Sequence, residues 1–321
     1  MSLLRNCWVA FCLCVCAQAG GLVWAAERPE VWVALAEPGG SYLEVAGTLR
    51  AETDSRRTRP LEWVIAPASE LLQREGTPAM VVTVGAGAWR ELAQRFVSAP
   101  PPMLATLLPR AAFEQGMPWK TRPRQVSAVL LDQPPTRQIN LIKHLAPRRK
   151  LETVGLLLGP DSRRYAREFQ LALTEAGLTA LPVEVSDAAG VSIAVIDALK
   201  GSDVLLAVPD PLVFNSGTIS AILLSSYRWL VPLVGYSPAM VKSGALAAVY
   251  ATPAHVAKSA ADAVLDALAG RALPPPRAPA EFSIAINPSV ARSMGLQLEE
   301  ATLLRALVAH EHGITRSESV P

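Results

Sequence analysis

Residues 234–253 read VGYSPAMVKSGALAAVYATP. Two apolar runs, VPLVGYS at 231–237 and LAAVYA at 246–251, flank a brief insert, Pro238 to Gly244. Each run is apolar throughout rather than alternating, the pattern of a strand buried on both faces of a sheet. A parallel return between neighbouring strands normally takes a dozen or more residues. The insert is shorter than that, so the chain is expected to turn quickly at the end of the first run. Tyr236 and Ser237 then stand at a strand's carboxyl end, and the rest of the chain must say what they face.

Working outward, the same texture recurs. Further apolar or β-branched runs lie at VWVALA (31–36), LEWVIA (61–66), MVVTVG (80–85), VSAVLLD (126–132), TVGLLLG (153–159), LTALPVEV (178–185) and DVLLAVPD (203–210). Helical spacing fills most intervals: Tyr42, Val45 and Leu49 share one face, as do Tyr165, Phe169 and Leu173, and then Ala260, Val264 and Leu268. Buried strands alternating with amphipathic helices predict an α/β protein with doubly wound parallel sheets. About five strands followed by four or more suit two lobes rather than one sheet.

Proline marks the divisions. Pro134 and Pro135 break the run at 126–132 and can open a helix that stops before Pro147. Further breaks fall near ATPAH (251–255) and in LPPPRAPAEF (273–282). Three crossings make a three-segment hinge. The expected organisation is a leader at 1–26, a first lobe at 27–132 plus 254–275, and a second at 133–253 plus 276–321.

The first 26 residues carry Arg5, an apolar run and then small residues at Ala25 and Ala26, the layout of a cleavable secretory signal cut near Ala25. A single membrane anchor is the alternative, since the run from Cys7 to Ala26 is long enough to span. All four cysteines (Cys7, Cys12, Cys14, Cys16) lie inside it, so the mature chain forms no disulfide or thiolate metal site. Of 30 basic and 28 acidic residues only Arg5 leaves with the leader, and the near-neutral balance asks for no nucleic-acid partner. A soluble periplasmic monomer is expected.

Ligands of open parallel α/β sheets sit beyond the carboxyl ends of the strands. Reading those ends gives the candidate ligand residues Ser41 and Tyr42, Gly87, Asp132, Asp161 and Ser162, Asp210, Phe214 and Asn215, and Tyr236 with Ser237. Several lead into helix N-termini, where free amides attract anions. Plainer roles stand beside these. Ser41, Asp161 and Ser162 can cap helices, and Tyr42 and Trp89 can pack on a helix face. Gly85 and Gly87 form half of a dinucleotide motif, but Arg90 occupies the third glycine's place, so a tight turn explains them. His310 and His312 are two apart and do not share a helical face. No nucleophile–base pair, paired catalytic carboxylate or phosphate loop stands out, so neither enzyme chemistry nor a cofactor is expected.

The blocks AVLLDQPPTRQINLIKHLAP, VGLLLGPDS, the segment from Leu233 to Pro274 and FSIAINPSVARSMGL resemble, in register over about residues 126–305, the ABC transporter substrate-binding protein family. They are most similar to its branch of periplasmic proteins for aromatic and related amino acids. The resemblance implies a type I periplasmic-binding-protein fold, a small ligand gripped between lobes, and delivery to an inner-membrane permease. It also implies an Asn after the first strand of the second lobe, an Asp-Asn pair later and an Asp after the hinge strand. Here those places read GPDS, PDPLVF and YATPAH: Asp210 remains, Pro211 replaces its partner, and Thr252 or Pro253 replaces the hinge acid. A free amino acid is therefore an unsafe expectation. The alternative function is a permease-less periplasmic sensor or accessory protein serving a sensor kinase or outer-membrane receptor.

Overall fold

A computed structural model describes residues 28–145 and 151–318. The expected signal segment, with its cysteines, lies outside the described residues. Among the described residues, no helix is long and apolar enough to cross a membrane.

The first lobe is built on strands β1 (Glu30–Leu35), β2 (Glu62–Pro67), β3 (Met80–Val84), β4 (Met103–Leu108) and β5 (Val126–Leu130), in the order β2-β1-β3-β4-β5. Every pairing is parallel. The connecting helices are α1 (Gly40–Asp54), α2 (Ala68–Leu71), α3 (Ala86–Arg95) and α4 (Arg110–Gln115). Side chains alternate across a pleated strand, and β1 divides accordingly. Val31, Val33 and Leu35 join a core with Val45 and Leu49 of α1, whereas Trp32 and Ala34 join one with Trp89 and Leu92 of α3. Both faces are covered, which is why the strand reads as unbroken apolar sequence.

The second lobe carries β6 (Thr153–Leu158), β7 (Thr179–Glu184), β8 (Val204–Ala207), β9 (Leu233–Gly235), β10 (Ala247–Tyr250) and β11 (Ser283–Ile286), in the order β11-β10-β9-β8-β6-β7. Its helices are α5 (Pro135–Leu145), α6 (Ala166–Glu175), α7 (Val191–Gly201), α8 (Ile219–Trp229) and α9 (Pro238–Ser243). The next, α10 (Pro253–Leu268), leaves the second sheet and packs Val256, Ala257, Ala260 and Val264 into the α1 core of the first lobe. Small alanines on that face let the two helices approach closely. Two more, α11 (Pro288–Ser293) and α12 (Glu300–Glu318), close the second lobe. Again both sheet faces are filled, Leu156 and Leu206 on one, Leu157 and Leu205 on the other.

Three features depart from the sequence reading. β4 and β11 occupy stretches read as neither strand nor helix, and β11 pairs antiparallel to β10 as an edge strand. The quick turn after β9 does not reverse the chain. β9 and β10 are parallel neighbours, Val234 opposite Ala247 and Gly235 opposite Ala248, with the six residues of α9 between them. Short strands and a one-and-a-half-turn helix bring the return near its minimum length. Finally, Arg277 pairs with β5: its N–H donates to Ala128 O at 3.1 Å and its carbonyl accepts from Leu130 N at 2.8 Å. The last crossing therefore follows Arg277 rather than residue 275.

Arg137 of α5 ties these crossings together. It is buried, forks onto the Glu311 carboxylate (2.5 and 3.1 Å), donates to Gln133 Oε1 at 2.7 Å and to Pro279 O at 3.3 Å, and lies 4.1 Å over the Phe282 ring.

Candidate binding cleft

The carboxyl ends of β4 and β5 in one lobe face those of β8 and β9 in the other, with the β10–α10 crossing alongside. Between them lies a cavity of about 220 Å³. Its walls are Pro109, Leu131, Asp132 and Gln133 from the first lobe's edge, Gln138 on α5, Pro209 and Tyr236 to Pro238 from the second lobe, and Tyr250 and Ala251 at the hinge. Two further hollows, of about 420 and 40 Å³, share Asp132 and Gln133 with it and run toward α4. Asp132 and Gln133 are thus common to all three hollows.

The Asp132 carboxylate accepts the Arg110 backbone N–H through Oδ2 at 2.6 Å. Burial raises its pKa; the Arg110 N–H and guanidinium charge pull the other way without prevailing. Tyr236 is also raised, first by burial, then by the charges of Asp210 and Asp132. Ser237 caps α9, its Oγ accepting from Met240 N at 3.3 Å. Gln138 donates through Nε2 to Gln133 O at 2.9 Å, and its buried Oε1 has no partner among the described residues. Because a carbonyl can only accept, that bond fixes which end of the amide carries nitrogen.

Of the residues expected from the sequence, Asp132, Tyr236 and Ser237 meet at this cavity. Phe214 stands behind the wall, edge-on to Tyr236 with centroids 6.1 Å apart. Asp210 and Ser162 are buried and bonded to each other. Asp210 Oδ2 accepts from Asp161 N, Ser162 N and Ser162 Oγ at 3.0, 3.0 and 2.9 Å, and Oδ1 accepts from Leu212 N at 3.0 Å. Gly159 lies so near that a Cβ there would fall 2.3 Å from Asp210 Oδ1. This cluster pins the loop after β6 to the loop after β8. Asn215 is exposed and turns back on its own loop, its side chain bonding Pro211 O and Gly217 N.

Ser41, Tyr42 and Gly87 lie off the cavity. Ser41 is exposed on the first turn of α1. The Tyr42 ring covers Gly85, where a Cβ would come within 2.6 Å of it and where φ is +97°, so the turn needs glycine. Asp161 faces across the cleft mouth, its Oδ1 accepting from Gln115 Nε2 at 2.8 Å. Other contacts bridge the mouth beside it: Tyr165 donates to Glu114 (2.9 Å), Arg164 approaches Glu114 (3.3 Å), and Arg110, paired with Glu114 along α4 (2.9 Å), reaches across to Glu168 (2.8 Å). Burial, then the Glu114 contact, raises the Tyr165 pKa.

Pro109, Gln138, Pro209 and Tyr250 escaped the sequence reading. Pro109 follows the strand that went unread. Gln138 and Tyr250 flank the hinge breaks at Pro134-Pro135 and Pro253, the one signal that marked their neighbourhoods. Among the described residues, no group of three or more His, Cys, Asp or Glu is placed to hold a metal ion.

A family described as "ABC transporter substrate binding protein" matches residues 117–309. No curated protein matches the chain. Among solved structures, a ligand-free, open substrate binding protein with adhesive properties from Clostridium difficile is 13% identical, with a TM-score of 0.64 over 84% of this chain and 96% of that one. An ABC domain in complex with L-Trp from Streptococcus pneumonia is 18% identical, TM-score 0.58, over 86% and 98%. A conserved domain protein from Vibrio cholerae is 17% identical, TM-score 0.57, also over 86% and 98%. At these identities the structural likeness shows the fold.

Proposed function

This chain belongs to the ABC transporter substrate-binding protein family, and from that premise we propose that it captures a small solute in the hinge cavity and presents it to an inner-membrane permease. In this reading the mature protein is periplasmic, released by cleavage of its N-terminal segment. The lobes turn about the crossings at 131–134, 251–252 and just beyond 277, and closure shifts the population toward a state whose contacts include the ligand.

One observation carries the proposal: the cavity is walled by strand ends from both lobes and by residues of two of the crossings. A ligand there touches parts that move relative to one another, so its binding energy can favour the closed arrangement. The polar contacts of Arg110, Glu114 and Gln115 with the opposite lobe would form on closing and part on opening.

The test is a thermal-shift screen of the purified protein against amines, amino acids, sugars, nucleosides and organic acids, followed by calorimetry on any hit. A true ligand at 100 times its dissociation constant adds about 2.7 kcal/mol of stability. Tyr236→Ala should lose most of that gain. The proposal fails if nothing in the panel stabilises the protein, or if Tyr236→Ala binds the hit as tightly as the parent.

A further inference from the structure

We propose that the hinge cavity takes a small organic cation: an amine on an apolar body, carrying no acidic group. The assignment rests on reading this cavity as the ligand site and adds the chemical class.

Charge comes first. Asp132 contributes a carboxylate to the walls, and no Lys or Arg is among the described wall residues. The nearby cation, Arg110, is engaged elsewhere: its guanidinium bonds Glu114 and Glu168 and lies 4.5 Å over the Tyr165 ring. The backbone offers an anion fewer donors than helix N-termini usually do. The three helices that begin around the cavity, α5, α9 and α10, start with Pro135, Pro238 and Pro253, which have no N–H. Ser237 and Thr252 already cap the latter two, and the amide that opens α4, Arg110 N–H, is taken by Asp132. A carboxylate or phosphate would enter with no charged partner, which is costly in a desolvated site.

Acceptors, by contrast, are in surplus. Among the described residues no side-chain donor bonds to the Asp132 carboxylate, whose pKa burial pushes up, and a cation would relieve that burden. Gln138 adds a second buried acceptor, Oε1, without a partner among the described residues. The remaining wall is two tyrosines, three prolines, Leu131 and Ala251, with Gln133, whose amide already bonds Arg137 and Leu131 O, and Ser237, which caps α9. The rings suit an apolar body and a cation near aromatic faces. A sugar would leave the hydroxyls that reach neither Asp132 nor Gln138 against prolines and aliphatic carbon.

The experiment is titration calorimetry on the purified protein with phenethylamine, tyramine, L-phenylalanine and 3-phenylpropionate, which share a ring and differ in charge. An amine is expected to bind, with both carboxylate-bearing analogues at least about tenfold weaker. Asp132→Asn keeps an acceptor for Arg110 N–H and should fold normally, but should weaken the amine by about thirtyfold or more, as when one member of a buried charged pair is lost. The assignment is overturned if L-phenylalanine or 3-phenylpropionate binds as tightly as the amines, or if Asp132→Asn binds the amine unchanged. If the amines fail while a sugar, nucleoside or acid from the wider panel binds, the class is wrong and the cleft reading survives. If nothing binds, both fall.

Discussion

Removing the Asp210 carboxylate should destabilise the fold itself rather than merely blunt the cleft. The group is buried and accepts four donors, and two of them, the Ser162 amide and hydroxyl, are fully buried. Asp210→Ala strands those two at about 1–3 kcal/mol each. The hydroxyl recovers part of its loss by turning to Gly159 O, 3.5 Å away, and the half-exposed amides of Asp161 and Leu212 gain water. The expected net cost is about 2–4 kcal/mol, a sizeable part of the 5–15 kcal/mol typical of a folded protein. Asp210→Asn can place its amide oxygen where Oδ2 now sits, giving up Leu212 N and some charge-assisted strength, for about 1–2 kcal/mol. Urea unfolding followed by tryptophan fluorescence should rank the parent above Asn and Asn above Ala. If both variants match the parent within about 0.5 kcal/mol, or if stability holds while ligand affinity collapses, the carboxylate acts on the ligand and this account is wrong.

Other expectations follow from the same geometry. Gly159→Ala, which drives a methyl into Asp210, should destabilise about as much as Asp210→Ala and add little on top of it, since the two act at one site; full additivity in urea unfolding would contradict that. Arg137→Ala should cost about 3 kcal/mol, because its Glu311 fork and its place over Phe282 go together, and limited proteolysis should then cut within α12 first; resistance equal to the parent would refute the tie. His255 accepts Thr252 N–H through Nδ1 in the capping box and is held below 6.5, by burial first and then Lys258, against Glu281. Between that lowered value and 6.5 the unfolded chain binds the proton and the folded one does not. Stability should therefore rise with pH across this window and be lost as pH falls through the folded value; His255→Gln should flatten the dependence, and an unchanged slope would exclude His255 as its source. Arg110→Ala with Glu114→Gln, which cuts most of the bridge across the mouth at roughly 0.5–1 kcal/mol per exposed pair, should enlarge the radius of gyration of the ligand-free protein in small-angle scattering; an identical profile would show that the bridge does not hold the lobes.

Much of the architecture was legible because burial on both faces writes itself into a strand. Val31 to Leu35 must be apolar throughout to serve two cores, and Val45 with Leu49 must recur at helical spacing to cover one of them. β4 and β11 were missed. In MLATLL (103–108) little but β-propensity separates a short strand from a helical fragment, and SIAI (283–286) is a half-buried edge whose pattern lasts only four residues. The parallel return from β9 to β10 was misjudged because a length rule for ordinary crossovers does not apply to strands this short.

The site divides differently. By itself the sequence determined that Asp132, Tyr236 and Ser237 end strands, since a strand's end is a local event marked by proline and by polar residues after an apolar run. Whether a strand-end side chain faces a cavity or a neighbouring loop depends on residues far away in the chain. Asp161 and Asp210 both stand at strand ends in the sequence, yet only the packing of the β6 loop against the β8 loop turned Asp210 inward onto four donors, while Asp132, 78 positions earlier, was left facing the cavity. Gln138 and Tyr250 were invisible for the same reason: they become neighbours only when separate crossings meet, and no local pattern records that meeting.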